Sequence, residues 1–331
     1  MKISVYGAGA IGGHVAARLA KGGAQVSLVA REATVQAVRA RGLTARTPGG
    51  DISVSVTASS DPRDLGLQDY VIVAVKAPAL PSVAMDIAPL LGPRTAVMFA
   101  MNGLPWWYFY KHGGPMNGRR LPLIDPSDAI WKTVGPDRAI GAVVNTACTV
   151  IEPGVIKVSS PVNRFALGEP NGETSERVEL LAAAMRAGGF VVDVTMNIRD
   201  EVFEKLIGNL CGVPLATLTL AKAKDVYADP ACVNAARRIH AEVSSLATAL
   251  GRRVNFDVET QIEKGRNLNH KASMAQDLEL GRAMEIDAMF TAPLMLAREL
   301  ELATPTLDLL AALVTLRAKG AGLYTETPWR R

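Results

Sequence analysis

Apolar and polar positions follow two different periods along the chain. In the first half, short apolar stretches typical of buried strands alternate with segments that carry apolar residues at helical spacing. The predicted strands are 2–6, 24–30, 69–78 and 94–103, and the predicted helices are 11–21 and 80–92. Segment 42–58 interrupts this alternation, because its pattern is closer to a hairpin than to a helix.

From about residue 195 onward, helical patterns replace the strands. The start signals are polar residues that can cap a helix, and the stop signals are glycines. The predicted helical segments are 201–212, capped by Asn197 with Asp200; 230–251, capped by Asp229; 257–301; and 304–320, closed by Gly320. The pattern therefore predicts a mixed α/β domain over residues 1–195 and an all-helical domain over 196–331.

The composition narrows the class of protein. The chain has 331 residues, of which 49% are hydrophobic and 21% charged, with a net charge of +4, which is the balance of a globular protein and not of a disordered one. It lacks the Lys/Arg runs of a nucleic-acid binder and an apolar stretch of the ~20 residues that a membrane span needs. We therefore expect neither nucleic acid nor membrane as a partner.

The cysteines and the first residues bear on the cellular compartment. Cys148, Cys211 and Cys232 lie far apart without Cys-x-x-Cys spacing, which argues against a disulfide framework and against a zinc site. Glycines interrupt the N-terminal region where a secretory signal would need a continuous apolar stretch. We expect a cytoplasmic protein with reduced cysteines and no metal.

The most informative motif is the glycine-rich segment GAGAIG, which lies between the first predicted strand and the first predicted helix. Gly7 permits a tight turn, Gly9 lets a pyrophosphate approach the backbone, and Gly12 lets the helix pack closely on the strand. The pyrophosphate would lie at the helix N-terminus, where the free N–H groups favour anions. This context predicts a Rossmann-type dinucleotide-binding domain in which the cofactor contacts Gly7, Gly9, Ala10, Ile11 and Gly12.

The end of the second predicted strand bears on the choice between NAD and NADP. An acidic residue at this place binds the ribose hydroxyls of NAD, whereas an arginine accommodates the 2′-phosphate of NADP. The chain has Arg31 followed by Glu32. Because a guanidinium pairs with phosphate in a fork geometry, Arg31 favours NADP, and Glu32 keeps NAD as the alternative.

Two polar residues follow later strands of the predicted sheet. Lys76 and Asn102 each lie at the carboxyl end of a strand, which is where ligands bind in open α/β sheets. We expect both near the nicotinamide half of the cofactor. The alternatives are a surface lysine at 76 and, because Gly103 follows, a plain turn residue at 102.

The helical half carries a second set of candidates. Lys205 and Asn209 lie one turn apart on the predicted helix and share a face, either solvated or directed into a site. Ser273 precedes Glu285 by twelve residues, which corresponds to roughly three turns and the same helix face. A capping serine and solvated acids are the alternative for that segment.

The order of these motifs resembles the ketopantoate reductase (2-dehydropantoate 2-reductase) family over almost the whole chain. The resemblance rests on several landmarks that occur in the family's order. These are GAGAIG, an arginine after the second strand, VKA at 75–77, NG at 102–103, EVFEKLIGN at 201–209 and SMAQDLELGRAMEID at 273–287.

The resemblance implies an NADPH-dependent reduction of a 2-keto acid to a 2-hydroxy acid, most directly 2-dehydropantoate to pantoate. It implies that Lys205 donates the proton and that Glu285 assists at the catalytic centre. Substrate binding would fall to Asn102, Asn209 and Ser273, and cofactor binding to Arg31, Lys76, Asn102 and Glu285. An alternative is a paralogue that reduces a bulkier 2-oxo compound; another is a non-catalytic NADP-binding sensor. We expect a homodimer formed through the helical domain.

The chain departs from the family pattern at three places. Val213 and His270 stand where family members carry asparagines, so part of the substrate contact is altered. Residues 104–137 are rich in aromatic side chains and hold all but one of the tryptophans, Trp106, Trp107 and Trp131, in place of a short helix. This aromatic insertion is either a lid or pocket wall near the cofactor, or a dimer contact or satellite cluster.

Overall fold

Residues 1–326 are described by a computed structural model in which the chain divides into two units. The first unit comprises Met1–Met101 and Pro105–Ile198, and the second comprises Asn102–Leu104 and the chain from Arg199 onward. The short segment 102–104 thus belongs to the helical unit, although it directly follows a strand of the first unit. The last residues of the predicted helical domain, 327–331, lie outside the described residues.

The strands of the first unit contain the apolar stretches of the first half of the chain, and these apolar residues form its core. The strands are β1 (Lys2–Tyr6), β2 (Gln25–Val29), β3 (Leu43–Thr47), β4 (Gly50–Val54), β5 (Thr57–Ser59), β6 (Gln68–Val73), β7 (Leu91–Phe99), β8 (Ala139–Asn145), β9 (Cys148–Glu152), β10 (Val155–Val158), β11 (Arg164–Gly168) and β12 (Val191–Val194). The hairpin expected over 42–58 is confirmed, because β3 and β4 pair antiparallel.

Eight of these strands form one sheet in the order β12-β11-β8-β7-β6-β1-β2-β5, and four form a second sheet in the order β4-β3-β10-β9. The large sheet is parallel from β5 to β8 and changes direction at β8 and β11, which pair antiparallel. Strand β1 lies between β2 and β6, so the carboxyl ends of these three strands are neighbours. In such folds, ligands bind beyond the carboxyl ends of the strands.

Helices of the first unit are α1 (Ala10–Lys21), α2 (Glu32–Arg41), α3 (Leu80–Asp86), α4 (Ala129–Thr133) and α5 (Glu176–Ala187). The predicted mixed α/β sheet domain is confirmed. The predicted helix over 80–92 is shorter than expected, because Pro89 falls in a separate 3₁₀ turn that follows Ile87.

A buried polar network fixes α1 against the sheets. Arg18 Nε donates to His14 Nε2 at 2.7 Å, and its Nη1 donates to the carbonyl oxygens of Gly188 and Gly189. Because His14 Nε2 accepts a hydrogen bond, the imidazole carries its proton on Nδ1, which faces Cys148 Sγ at 3.2 Å. Burial lowers the pKa of His14 to about 3 and raises that of Cys148 to about 11, so both groups are neutral.

Four consecutive aromatic residues of the insertion form an interior cluster of the first unit. Trp106, Trp107, Tyr108 and Phe109 have at most 1% of their surface exposed. Trp106 packs edge-on against Phe99 at the end of β7, with ring centroids 5.3 Å apart. These four side chains are therefore not an exposed dimer contact; their burial favours the satellite-cluster interpretation, and a role as pocket wall stays a prediction.

The second unit contains the remaining helices and no strand within the described residues. They are α6 (Ile198–Thr219), α7 (Ala223–Ala228), α8 (Pro230–Ala249), α9 (Val258–Arg266), α10 (Ser273–Glu279), α11 (Ala292–Glu299) and α12 (Pro305–Gly320), with a π-helical turn at Asp287–Thr291. The predicted all-helical second domain is confirmed.

Local signals account for most of these helix boundaries. Asp229 caps α8 as expected, because its carboxylate accepts from the N–H groups of Ala231 and Cys232 at 2.9 Å. Helix α6 continues past its predicted end at 212 and passes through Pro214. Leu215, which follows this proline, packs into a small apolar cluster of the unit.

Within residues 1–326, no helix has the length and apolar composition of a membrane span. The same residues contain no cluster of three or more side chains that could hold a metal ion.

We expect Trp107→Ala to lower the free energy of unfolding by about 3–5 kcal/mol, as large-to-small changes of buried aromatic residues do. The indole packs directly on β8, since a Cβ placed on Gly141 would lie 2.8 Å from it. Urea unfolding followed by circular dichroism measures the loss. The control is Met85→Ala at a side chain that is 77% exposed; an equal loss in both variants would contradict the packing role.

Candidate active site

The glycine-rich turn joins β1 to α1 through an unusually close backbone approach. Gly7 has a φ of +101°, and its N–H donates to the carbonyl oxygen of Val29 at 2.9 Å. A Cβ on Gly12 would lie 1.9 Å from the carbonyl oxygen of Gly7, so only glycine fits there. Gly9 is exposed, and a Cβ there would meet no atom within 4 Å, which leaves room for a ligand at the start of α1. The first helical residues after it are Ala10 and Ile11.

Lys76 lies close to this turn in the first unit. It follows β6, and the residue before the VKA segment, Ala74, packs its Cβ near the place of Gly12 and donates its N–H to the carbonyl oxygen of Tyr6 at 2.9 Å. Lys76 itself is half-buried and begins a 3₁₀ turn at Ala77–Ala79. The sheet thus places Lys76 at the carboxyl end next to the glycine turn.

Arg31 and Glu32 stand at the carboxyl end of β2, as the sequence predicts. Arg31 is the N-cap residue of α2 and is exposed, and its guanidinium has no hydrogen-bond or ion-pair partner among residues 1–326. The Glu32 carboxylate, in contrast, accepts from Ser60 Oγ at 2.9 Å and from Gln36 Nε2 at 3.2 Å. The arginine is therefore available to an anion, whereas the acid is engaged within the protein.

In the second unit, α6 carries Lys205 and Asn209 one turn apart, both half-buried. Burial lowers the pKa of the Lys205 ammonium group below its ordinary value, because a low-dielectric environment penalises the charged form. A lysine on a solvated helix face would not show this effect. The structure thus favours the inward orientation over the solvated one.

Asn102 is held by the two residues after it. Gly103 has a φ of +81°, and a Cβ on it would lie 2.4 Å from the carbonyl oxygen of Ala288. The N–H of Leu104 donates to that same oxygen at 2.9 Å. Ala288 lies in the π-helical turn just after Glu285. The fold therefore anchors the segment that carries Asn102 to the turn that follows Glu285, within the second unit.

The expectation that Ser273 and Glu285 share a face of one continuous helix is wrong. Ser273 begins α10 and is exposed, but α10 ends at Glu279, and Gly281 follows with a φ of +61°. Glu285 lies in the connection before the π-helical turn and is half-buried. Its position is set by that connection and not by helical period.

The connection around Glu285 is fixed from the end of the chain, which the sequence did not indicate. The N–H of Met284 donates to the carbonyl oxygen of Leu323 at 3.2 Å, and the Tyr324 hydroxyl donates to Asp287 Oδ1 at 2.7 Å. Burial raises the pKa of the Asp287 carboxyl. An acid and a tyrosine that lie far apart in the sequence carry no spacing signal, so only the fold reveals this pair.

The two positions that break the family pattern are both ordered. Val213 is almost fully buried in α6, and its carbonyl oxygen accepts from the Thr217 hydroxyl at 2.7 Å. His270 is an exposed residue, partial burial lowers the pKa of its ring, and its backbone carbonyl accepts from the N–H of Ala223 at 2.9 Å. Val213 therefore acts in packing, whereas His270 lies at the surface.

A glycine turn at the carboxyl ends of parallel strands and a helical unit that carries a desolvated lysine together indicate a dinucleotide-dependent oxidoreductase. Residues 3–172 match the family model of ketopantoate reductase PanE/ApbA, and residues 197–318 match the model of its C-terminal domain. The chain belongs to the ketopantoate reductase PanE/ApbA family.

Individual relatives agree with this assignment. A 2-dehydropantoate 2-reductase of Mesorhizobium japonicum is 43% identical over 98% of this chain and 100% of its own length. A crystal structure of 2-dehydropantoate 2-reductase from Geobacter metallireducens is 27% identical, with a TM-score of 0.84 over 95% of this chain and 99% of that one. A D-mandelate dehydrogenase bound to NADH and anilino(oxo)acetate shares the fold, with a TM-score of 0.80 at 21% identity over 98% of this chain and 100% of that one.

We expect Gly12→Ala and Gly9→Ala to separate packing from cofactor binding. Gly12→Ala forces α1 away from the turn and should cost about 1–3 kcal/mol of stability, as overpacking does. Gly9→Ala should leave the melting temperature unchanged but weaken NADPH binding by roughly tenfold or more, about 1.4 kcal/mol. Thermal unfolding and fluorescence titration with NADPH measure the two effects. Unchanged affinity in Gly9→Ala would contradict the placement of the pyrophosphate.

Proposed function

We propose that the protein reduces 2-dehydropantoate to pantoate with NADPH, a step of pantothenate and coenzyme A biosynthesis. The observation that carries the proposal is Lys205, a half-buried lysine whose pKa is lowered by burial, in the helix motif of the family. The same unit holds Asn102, Asn209, Ser273 and Glu285, which are the polar groups that a hydroxylated keto acid requires.

Bound NADPH would supply the hydride. Hydride addition at the C2 carbonyl carbon moves the π electrons onto oxygen, so negative charge develops there. The Lys205 ammonium stabilises this charge and transfers a proton from Nζ to the oxygen, which completes the 2-hydroxy acid and leaves a neutral amine. The amine then recovers a proton from solvent; the lowered pKa makes release of the proton easier than from a solvated lysine.

The remaining polar groups bind and orient the substrate. The Asn102 and Asn209 amides can donate to the substrate carboxylate and position the nicotinamide, and the Ser273 hydroxyl can donate to the same carboxylate. Glu285 can accept from the substrate hydroxyl and hold the ammonium group in place. The shared attachment of Asn102 and Glu285 to the π-helical turn supports this division of roles.

We infer NADP as the cofactor in preference to NAD. Arg31 is exposed and free to pair with a 2′-phosphate, whereas the Glu32 carboxylate that would bind ribose hydroxyls already accepts from Ser60 and Gln36. Lys76 supplies a further positive charge at the sheet edge next to the glycine turn. We also propose a cytoplasmic location, which agrees with three cysteines that are all free.

We expect Lys205→Ala to lower kcat by about 100-fold to 10,000-fold, which is the range for loss of a general acid. The loss of NADPH absorbance, with 2-dehydropantoate and a panel of other 2-keto acids, measures turnover. Lys264→Ala, at an exposed lysine of α9 in the same unit, is the matched control and should keep wild-type kcat.

The pH profile distinguishes an acid from a merely structural lysine. The reactive form is the ammonium, so kcat should fall as pH rises through the lowered pKa of Lys205, well before the ordinary lysine value of about 10.4. Lys205→Arg keeps the charge but cannot give up its proton, so it should bind substrate and turn over poorly.

Turnover of bulkier keto acids alone would favour the paralogue, and tight NADPH binding without any turnover would favour the sensor.

We expect Arg31→Ala to weaken NADPH binding by roughly 10-fold to 100-fold, because a charge-assisted hydrogen bond contributes about 1.5–3 kcal/mol. NADH binding should not change, since NADH has no 2′-phosphate. Isothermal titration with both cofactors measures the ratio. Arg41→Ala, at the other end of α2, removes an exposed ion pair with Glu152 and a long hydrogen bond to the carbonyl oxygen of Pro153, and serves as control. Equal loss for both cofactors would exclude the phosphate contact.

A further inference from the structure

The end of α12 sets the direction of the segment that follows it. Gly322 has a φ of +69°, and its N–H donates to the carbonyl oxygen of Lys319 at 2.9 Å. The N–H of Leu323 donates to the carbonyl oxygen of Ala318, also at 2.9 Å. These are the two hydrogen bonds of a Schellman motif, in which a left-handed glycine ends a helix. Because Ala318 is fully buried, the motif is anchored in the core of the unit, and Tyr324 leaves it in a defined direction.

This final segment contacts the connection that carries Glu285 at two points. The carbonyl oxygen of Leu323 accepts from the N–H of Met284 at 3.2 Å, and the Tyr324 hydroxyl donates to Asp287 Oδ1 at 2.7 Å. Met284 directly precedes Glu285, and Asp287 follows it by two residues. The two contacts therefore bracket Glu285, one on each side. We call Met284, Asp287, Leu323 and Tyr324 the C-terminal clamp.

The connection has few supports of its own. Helix α10 ends at Glu279, Gly281 has a φ of +61°, and residues 282–285 lie in neither helix nor strand. A segment without regular secondary structure lacks a ladder of backbone hydrogen bonds, so its position depends on contacts from elsewhere. The C-terminal clamp supplies such contacts, and Tyr324 reaches Asp287 from 37 positions later in the chain.

Burial on both sides of Glu285 makes the clamp effective. Met284 and Ile286 have at most 1% of their surface exposed, whereas Glu285 between them is half-buried. The backbone carbonyl of Glu285 accepts from the N–H of Met289 at 3.2 Å. The backbone at Glu285 can therefore shift only if buried neighbours shift with it, and the clamp holds those neighbours.

The tyrosine of the clamp is a constant donor. Burial and the hydrogen bond to Asp287 both raise the pKa of the Tyr324 hydroxyl, so it keeps its proton at every pH at which an enzyme of this kind works. Burial raises the pKa of the Asp287 carboxyl, and the hydrogen bond from Tyr324 opposes this shift. The contact therefore does not depend on a change of protonation at Tyr324.

The proposed function gives the clamp a role, because Glu285 there accepts from the hydroxyl group of the substrate. We propose that Tyr324 and Asp287 are positioning residues that hold Glu285 and thereby make the enzyme prefer keto acids that carry a hydroxyl group. This inference rests on the proposed function. The carbonyl chemistry at Lys205 is common to all keto acids, so a carboxylate displaced by about 1 Å costs a hydroxylated substrate more than one without the hydroxyl.

Tyr324→Phe removes only the hydroxyl group and tests this preference. For 2-dehydropantoate, kcat/KM should fall roughly tenfold, which is within the range for misplacement of a binding group. For the analogue with a methyl group in place of the hydroxymethyl group, kcat/KM should change by less than about twofold. The control Thr315→Val removes a hydroxyl of α12 that donates to the carbonyl oxygen of Ala311 at 2.7 Å, and it should keep the wild-type ratio. An equal loss for both substrates in Tyr324→Phe would overturn the proposal.

Variants of Asp287 test whether the two residues act as a pair. Asp287→Asn keeps an oxygen that can accept from Tyr324, so it should retain more of the substrate preference than Asp287→Ala. The double variant Tyr324→Phe/Asp287→Ala should lose no more than Asp287→Ala alone, because both changes remove the same contact. Losses that add would contradict the pair.

Hydrogen–deuterium exchange tests the clamp without any turnover. In Tyr324→Phe, amides of residues 281–290 should exchange roughly 3-fold to 10-fold faster than in the wild type, as expected for loss of one hydrogen bond. Amides of α8, and all amides in Thr315→Val outside α12, should exchange as before. Unchanged exchange at 281–290 would overturn the clamp. Faster exchange in a protein whose wild type turns over neither keto acid would instead overturn the proposed function, and with it the preference.

Discussion

The carbonyl oxygen of Gly7 occupies the space that a side chain at Gly12 would need, at 1.9 Å from where a Cβ would be. This approach determines how closely α1 lies on the sheet and where its first N–H groups point. The His14–Arg18 network then holds the later turns of α1, through contacts with Cys148 and with the backbone carbonyl that follows α5. Contacts at both ends thus hold α1 in place relative to the glycine turn.

In the second unit, a glycine again permits a close backbone contact, here at Gly103. Its missing side chain lets the segment after β7 reach the carbonyl oxygen of Ala288, so a residue from the first half of the chain joins the helical unit. The π-helical turn that receives it has one backbone carbonyl available to the N–H of Leu104. Irregular helical turns of this kind occur often at functional sites.

The proposed reaction depends on a lysine that is costly to keep charged. Burial disfavours the ammonium form of Lys205, which makes proton release easier and the positive charge more effective toward a developing alkoxide. A solvated lysine would have neither property.

Local signals in the sequence determined the glycine turn, the hairpin at 42–58, the cap at Asp229 and the alternation of strands and helices, because each depends on residues close together in the chain. The tertiary structure decided the rest. Glu285 does not follow the helical period from Ser273, since Gly281 ends that stretch and the chain's last turns hold the connection. The docking of Asn102, the desolvation of Lys205 and the exposure of Leu309, Leu313 and Leu316 on α12 all depend on which distant residues cover a side chain. No local pattern encodes that, because burial is a property of packing between segments.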